Sequence, residues 1–155
     1  MPVRKLFEFL DGEKVKYVSI SHSPAYTAQE VAAAAHVPGK ELAKTVIVKV
    51  DGDMAMVVLP ASYKIDFDLL REAIGVGSVE LASEAEFMDL FPDCEVGAMP
   101  PFGHFYGLKV YAAQSLAEDE EIAFNACTHS ELVRLRFADF ARLAKPQMLT
   151  ISQKV

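Results

Sequence analysis

The sequence predicts an α+β fold with a mixed, largely antiparallel sheet, and three observations carry that prediction. The strongest pairing signal is local: the β-rich runs Thr45–Val50 and Met54–Leu59 flank Asp51-Gly52-Asp53, a hairpin signature. Helical and strand patterns are intermixed, with hairpins as the clearest pairings, which disfavours a doubly wound parallel sheet. At 155 residues the chain reads as one domain, 1–155, long enough to bury a single core. It has no repeat, low-complexity tract or linker that would divide it.

The elements follow in order. Val3, Leu6, Phe7 and Leu10 fall at helical spacing, and Asp11-Gly12 closes that helix. Lys16–Ile20 alternates polar and apolar residues as a strand does, and Ser21-His22-Ser23-Pro24 is a turn. Thr27-Ala28-Gln29-Glu30 reads as a capping box ahead of the helix-forming run Val31–Ala35, which His36-Val37-Pro38-Gly39 stops. Pro60 ends the second hairpin strand. Asp66 introduces a short helix, Phe67–Ile74, that Gly75 terminates. Ser83-Glu84-Ala85-Glu86 is a second capping box, opening a helix expected to reach Phe91 before Pro92. Strands are expected over His104–Tyr111, Ile122–Asn125 and Leu132–Phe137, with a solvated acidic turn at Glu118-Asp119-Glu120-Glu121. A closing helix over Ala138–Lys145 and a loose tail over Thr150–Val155 complete the chain.

Composition narrows the function. Apolar residues make up 52% of the chain, which suits a packed globular protein. No run approaches the roughly 18 apolar residues of a membrane span. The start Met1-Pro2-Val3-Arg4-Lys5 does not read as a secretory signal, so the expected location is cytoplasmic. Two cysteines without CxxC spacing, Cys94 and Cys127, argue against a disulfide framework and a structural zinc site. The net charge of −7, with scattered cations, disfavours gripping DNA or any long nucleic acid through its phosphates. Contact with one or two phosphates at a nucleic-acid end remains compatible.

Gly97-Ala98-Met99-Pro100-Pro101-Phe102-Gly103 is a stiff loop: its adjacent prolines fix φ, and Gly97 can bring bare backbone close to a ligand or simply serve a turn. Lys44, ahead of an apolar strand and beside Thr45, is either a solvated strand end or a cation delivered to a cleft. His129, in Cys127-Thr128-His129-Ser130 between two strands, could donate to a ligand, act as a general base, or satisfy a turn; Thr128 and Ser130 share that ambiguity. Cys127 and His129 lack a visible third group to orient them as a nucleophile–base pair, and Cys127 suits a small buried filler. His22, His36 and His104 are too dispersed for a metal site. The chain carries no GxxxxGK[ST], GxGxxG or GxSxG motif.

Three segments taken together, Lys44-Thr45-Val46-Ile47-Val48, Gly97–Gly103 and Asn125-Ala126-Cys127-Thr128-His129-Ser130-Glu131, occur in an order and at separations that resemble the YbaK/prolyl-tRNA synthetase editing-domain family. The resemblance extends from Ser23-Pro24 and the Thr27-Ala28 helix to the strand after His129. It implies a compact α+β domain with a mixed, partly barrel-like sheet surrounded by helices. It also implies a free-standing deacylase that hydrolyses the ester between a wrong amino acid and tRNA, without metal or cofactor, using the tRNA 2′-hydroxyl and a positioned water. Lys44 would contact the terminal adenosine phosphate, Gly97 would position ester and water, and His129 would line the amino-acid pocket. Thr45, Ala98, Met99, Pro100, Pro101, Phe102, Cys127, Thr128 and Ser130 would contribute to substrate binding. The implied partners are the tRNA acceptor end and, to supply further affinity, an aminoacyl-tRNA synthetase. Cys127 stands where the family commonly has glycine. A non-catalytic module that keeps the pocket, or a thiol hydrolase using Cys127, are the rival expectations.

Overall fold

The computed structural model describes every residue except Met1, Pro24, Tyr26, Thr27, Asp93 and Val155; for residues 2, 3, 28, 29 and 152–154 it describes the backbone alone. The capping box expected at Thr27 therefore falls outside the described residues. The elements are α1 (Pro2–Gly12), β1 (Tyr17–Ser21), α2 (Ala28–Ala35), β2 (Leu42–Val50), β3 (Asp53–Pro60), β4 (Tyr63–Ile65), α3 (Phe67–Ile74), β5 (Val79–Leu81), α4 (Glu84–Phe87), β6 (Lys109–Ala113), β7 (Glu121–Asn125), β8 (Glu131–Arg136), α5 (Phe137–Ala144), β9 (Gln147–Leu149) and β10 (Ser152–Lys154).

The hairpin sits at the centre of the sheet. β2 and β3 pair antiparallel from Ala43 opposite Pro60 to Val50 opposite Asp53, turning at Asp51-Gly52 as the sequence predicts. The strand order is β1-β8-β7-β2-β3-β6-β9, with β5 also paired to β2. β2–β7, β3–β6 and β6–β9 run parallel, whereas β1–β8, β7–β8, β2–β3 and β2–β5 run antiparallel. The sheet ends at β1 and β9 and does not close on itself, so the barrel-like curl stays incomplete.

Because strand side chains alternate between faces, each face collects its own core. Ile47, Met56, Val58, Ile122, Phe124, Val133 and Leu135 point towards Leu6 and Leu10 of α1 and Phe140 of α5. On the opposite face Leu42, Ala123 and Leu132 pack on Val31 and Ala32 of α2, while Val48, Val57 and Leu59 pack on Leu70 of α3. Helix ends form for local reasons. The Asp66 carboxylate accepts from the N–H groups of Asp68 and Leu69 at 3.1 Å each, and left-handed Gly75 closes α3. Ser83 and Glu86 make the reciprocal capping box at 2.9 and 3.2 Å.

Several expectations need correction. The second capping box opens only a four-residue α4, which tightens into a 3₁₀ turn over Met88–Leu90; Phe87 and Phe91 both enter the core. The strand expected from His104 begins at Lys109, because Gly103–Phe105 is a 3₁₀ turn and Phe105 packs edge-on to Phe9 at 5.1 Å. Asp119 is not a solvated turn residue: its side chain is 9% exposed, 4.0 Å from Lys40, and burial pushes its carboxyl above the ordinary value. The tail is not loose, since β10 pairs antiparallel with β4 and Ile151 is fully buried. Among the described residues no helix is long and apolar enough to cross a membrane.

Candidate active site

The loop between β7 and β8 is set by one unusual backbone. Cys127 has φ +70, the left-handed region that normally favours glycine. Its N–H donates to Ala98 O and its carbonyl accepts from Glu95 N–H, each at 2.9 Å, so the loop is laced to the segment carrying Gly97. That segment is a turn closed by Ala98 N–H to Glu95 O at 3.0 Å. Gly97 at its third position has φ +88 while Val96 stays outside the positive region, the signature of a type II turn.

His129 completes the lacing. Its N–H donates to Glu95 Oε2 at 2.8 Å and its Nε2 bonds Val96 O at 2.7 Å. A carbonyl only accepts, so the proton sits on Nε2. A Cβ on Gly97 would stand 3.5 Å from His129 Cε1, which places the two predicted residues in contact. Gly97 is exposed, and among the described residues its N–H has no protein acceptor. A third segment joins them: His22 N–H donates to Ser130 O at 2.9 Å and Ala25 N–H to His129 O at 3.1 Å. His22 Nδ1 donates to Ser23 O at 2.8 Å, leaving a buried Nε2 with no partner among the described residues.

Lys44 is the third residue of β2 rather than its entrance. The last parallel pair between β2 and β7 is Ala43 with Phe124, so Lys44 and Asn125 each stand one residue beyond it, where the strands part. Alternation puts both side chains on the face of Leu42 and Ala123, the α2 side. Among the described residues Lys44 Nζ donates only to Ala61 O, at 3.4 Å, and no carboxylate lies within 4.0 Å. Burial lowers its pKa below the ordinary lysine value. Asn125 Oδ1 is buried without a partner among the described residues. An uncompensated cation beside an unsatisfied amide is an arrangement that a polar ligand would complete.

The other expected residues are distributed unevenly. Thr45 faces the opposite side of the sheet, with Ala43 and Ile47. Of the stiff loop only Gly97 and the exposed Gly-side turn reach solvent: Ala98, Met99, Pro100, Pro101 and Phe102 are buried. Phe102 packs edge-on to Phe124 at 5.5 Å and Phe140 at 6.0 Å, a core ring that supports the loop from beneath. Thr128 Oγ1 accepts from Ser130 N–H at 3.4 Å, a bond internal to the turn. Cys127 is 2% exposed and its thiol reaches the Tyr106 hydroxyl on the α1 side. No group of three or more His, Cys, Asp or Glu among the described residues could hold a metal ion. Sequence reasoning missed Glu95, Asn125 and His22. Asn125 could have been found as a polar residue at a strand end, but nothing local marks Glu95.

The residue at 127 can be tested for its backbone role alone. Cys127→Gly should change stability by no more than about 1 kcal/mol, since relief of the left-handed strain offsets the lost packing of one small side chain. Cys127→Val should destabilise by about 2 kcal/mol or more, because a β-branched residue tolerates that φ worst. Urea midpoints that rank the two variants the other way would refute the strain argument.

Comparison with known proteins identifies the family. Residues 22–143 match the aminoacyl-tRNA editing domain family. The chain is 30% identical over 151 residues to the multifunctional Ser/Thr-tRNA deacylase ProXp-y of Escherichia coli K12, covering 94% of this chain and 90% of that protein. It is 33% identical over 90 residues to a proline–tRNA ligase of Lysinibacillus sphaericus, covering 58% of this chain and 16% of the ligase. Its backbone matches the crystal structure of the hypothetical protein APE2540 with TM-score 0.85 at 21% identity, covering 96% of this chain and 99% of that one. A crystal structure with a suggested trans-editing role for prolyl tRNA synthetase matches with TM-score 0.81 at 20% identity, covering 98% and 97%. The chain belongs to the aminoacyl-tRNA editing domain family.

Proposed function

We propose that this protein is a trans-editing deacylase, which hydrolyses the ester joining a mischarged amino acid to the 3′ adenosine of tRNA. The observation that carries the reading is the exposed Gly97 N–H, pre-aimed by a turn that His129 and Glu95 hold rigid. An aminoacyl ester is already activated, so the site has to orient a water and stabilise an oxyanion with fixed dipoles. Gly97 N–H serves as that donor. Removing one such preorganised donor typically costs about 10²–10³-fold in rate. Lys44 binds the phosphate of the terminal adenosine as a point charge, and the Asn125 amide beside it fixes the same end of the substrate. His129, with its proton committed to Val96, shapes the pocket and holds Gly97 in place. The attacking water is activated by the tRNA 2′-hydroxyl.

Kinship to a Ser/Thr-tRNA deacylase supports small polar amino acids as substrates, carried on a tRNA whose acceptor end alone is gripped. A chain of net charge −7 gains little from the tRNA body, so a synthetase supplies the remaining affinity. Incubation with a panel of mischarged tRNAs, beginning with seryl and threonyl esters on non-cognate tRNA, is expected to release free amino acid. Binding without release from every member would replace the enzyme with a tRNA-end-binding module.

A further inference from the structure

We propose that Cys94 and Cys127 form an oxidation site, in which a hydroperoxide joins them as an intramolecular disulfide across the two loops that build the cleft. Both cysteines are unbridged in the structure, Cys94 partly exposed and Cys127 buried. Cys94 Sγ lies 3.6 Å from Tyr106 Oη, and the Cys127 thiol approaches the same hydroxyl, so the two side chains converge on one atom. The backbones converge too. The 2.9 Å bond from Glu95 N–H to Cys127 O limits the two Cα atoms to just under about 8 Å by standard peptide dimensions. A disulfide spans about 4.4–6.8 Å between Cα atoms, so closure needs a shift of about an ångström or less. Cys94 can make that shift because it stands on the partly exposed side of the pair.

A route for the oxidant is also present. Cys127 and Tyr106 line a cavity of about 30 Å³ together with Lys5, Leu6, Pro92 and Pro100. That volume holds about two waters, enough for hydrogen peroxide. One thiolate attacks the peroxide O–O bond, giving a sulfenic acid and hydroxide, which takes a proton to leave as water. The second thiolate then attacks the sulfenic sulfur and expels a second hydroxide, likewise protonated. Two thiols and one peroxide thus become one disulfide and two waters.

The cross-link would replace the thiol contacts with Tyr106 by a covalent tie one residue from Glu95 and two from His129, tightening the Gly97 turn. Its effect on deacylation rests on the function proposed above; its chemistry does not. Treating the native protein with hydrogen peroxide, then mapping alkylated peptides without reduction, is expected to show a peptide pair joined through Cys94 and Cys127 that dithiothreitol separates. The Cys94→Ser variant should give no such pair, keep basal deacylation, and keep it after peroxide, whereas the wild type should lose activity several-fold and regain it on reduction. Wild type in which both thiols still alkylate, in which Cys94 alone climbs to the sulfinic acid, or in which the bond joins two chains would overturn the site. A cross-link that forms while deacylation is unchanged supports the oxidation site and counts instead against placing the deacylase cleft at these loops.

Discussion

Lys44→Ala is expected to lower kcat/KM for deacylation by about 100-fold or more while circular dichroism and the unfolding midpoint show an intact fold. Losing a partly desolvated, charge-assisted contact typically costs about 2–5 kcal/mol, and about 2.7 kcal/mol corresponds to 100-fold. The fold should tolerate the change because the amine contributes only one long bond, to Ala61 O at 3.4 Å, and pairs with no described carboxylate. Burial in fact disfavours its charged form. With its folded pKa below the unfolded one, the folded chain binds fewer protons than the unfolded chain in the window between the two values, so stability rises with pH there. The penalty for burying the charge is fully present below that window. Lys44→Met should therefore be at least as stable as the wild type at neutral pH, and the gap should narrow as pH rises towards 10.5. Urea unfolding at neutral and alkaline pH measures this. Turnover unchanged in Lys44→Ala would remove the phosphate role, and a destabilised Lys44→Met would remove the account of a stored, unpaired cation.

The largest loss of stability is expected at Gly103. A Cβ there would lie 2.4 Å from Leu108 O and 2.7 Å from Val110 Cγ2. Neither neighbour can retreat cheaply, because the N–H groups of Tyr106 and Leu108 both donate to Gly103 O at 2.9 Å and Val110 lies in β6. Gly103→Ala must open that turn or push β6, at about 3 kcal/mol or more, a large share of the roughly 5–15 kcal/mol that holds a domain folded. The thermal midpoint should drop by about 6–12 °C. Gly12→Ala, whose Cβ would meet nothing within 4 Å, is the control and should barely move it. Equal midpoints for the two variants would show that the turn yields more easily than its bonds suggest.

How much of this was legible beforehand depended on whether a signal was local. The Asp51-Gly52 turn, the Ser83–Glu86 box and the Asp66 and Gly75 caps each encode their structure within a few residues, and each formed where expected. β4, β5, β9 and β10 were missed because three residues carry too little pattern; they exist through partners far away in the chain, as Ser152 does opposite Ile65. In the cleft, Gly97 and His129 could be singled out by residue type, and their contact followed. Glu95 could not, since its hold on His129 spans 34 residues. The burial of Phe102 was hidden for the opposite reason: adjacency to two prolines made it look like loop, whereas its aromatic neighbours draw it into the core.

Glu95, Val96, Ala98, Cys127 and His129 hold one another through main-chain and side-chain bonds around Gly97, so none can be repositioned without dragging the others. Such a clamp makes poor raw material for retuning substrate choice. Adaptation to a different amino acid should instead act on ground outside the clamp, around Lys44 and Asn125 or the stretch beginning at His22, leaving the reactive geometry as an inherited fixture while the selectivity around it drifts.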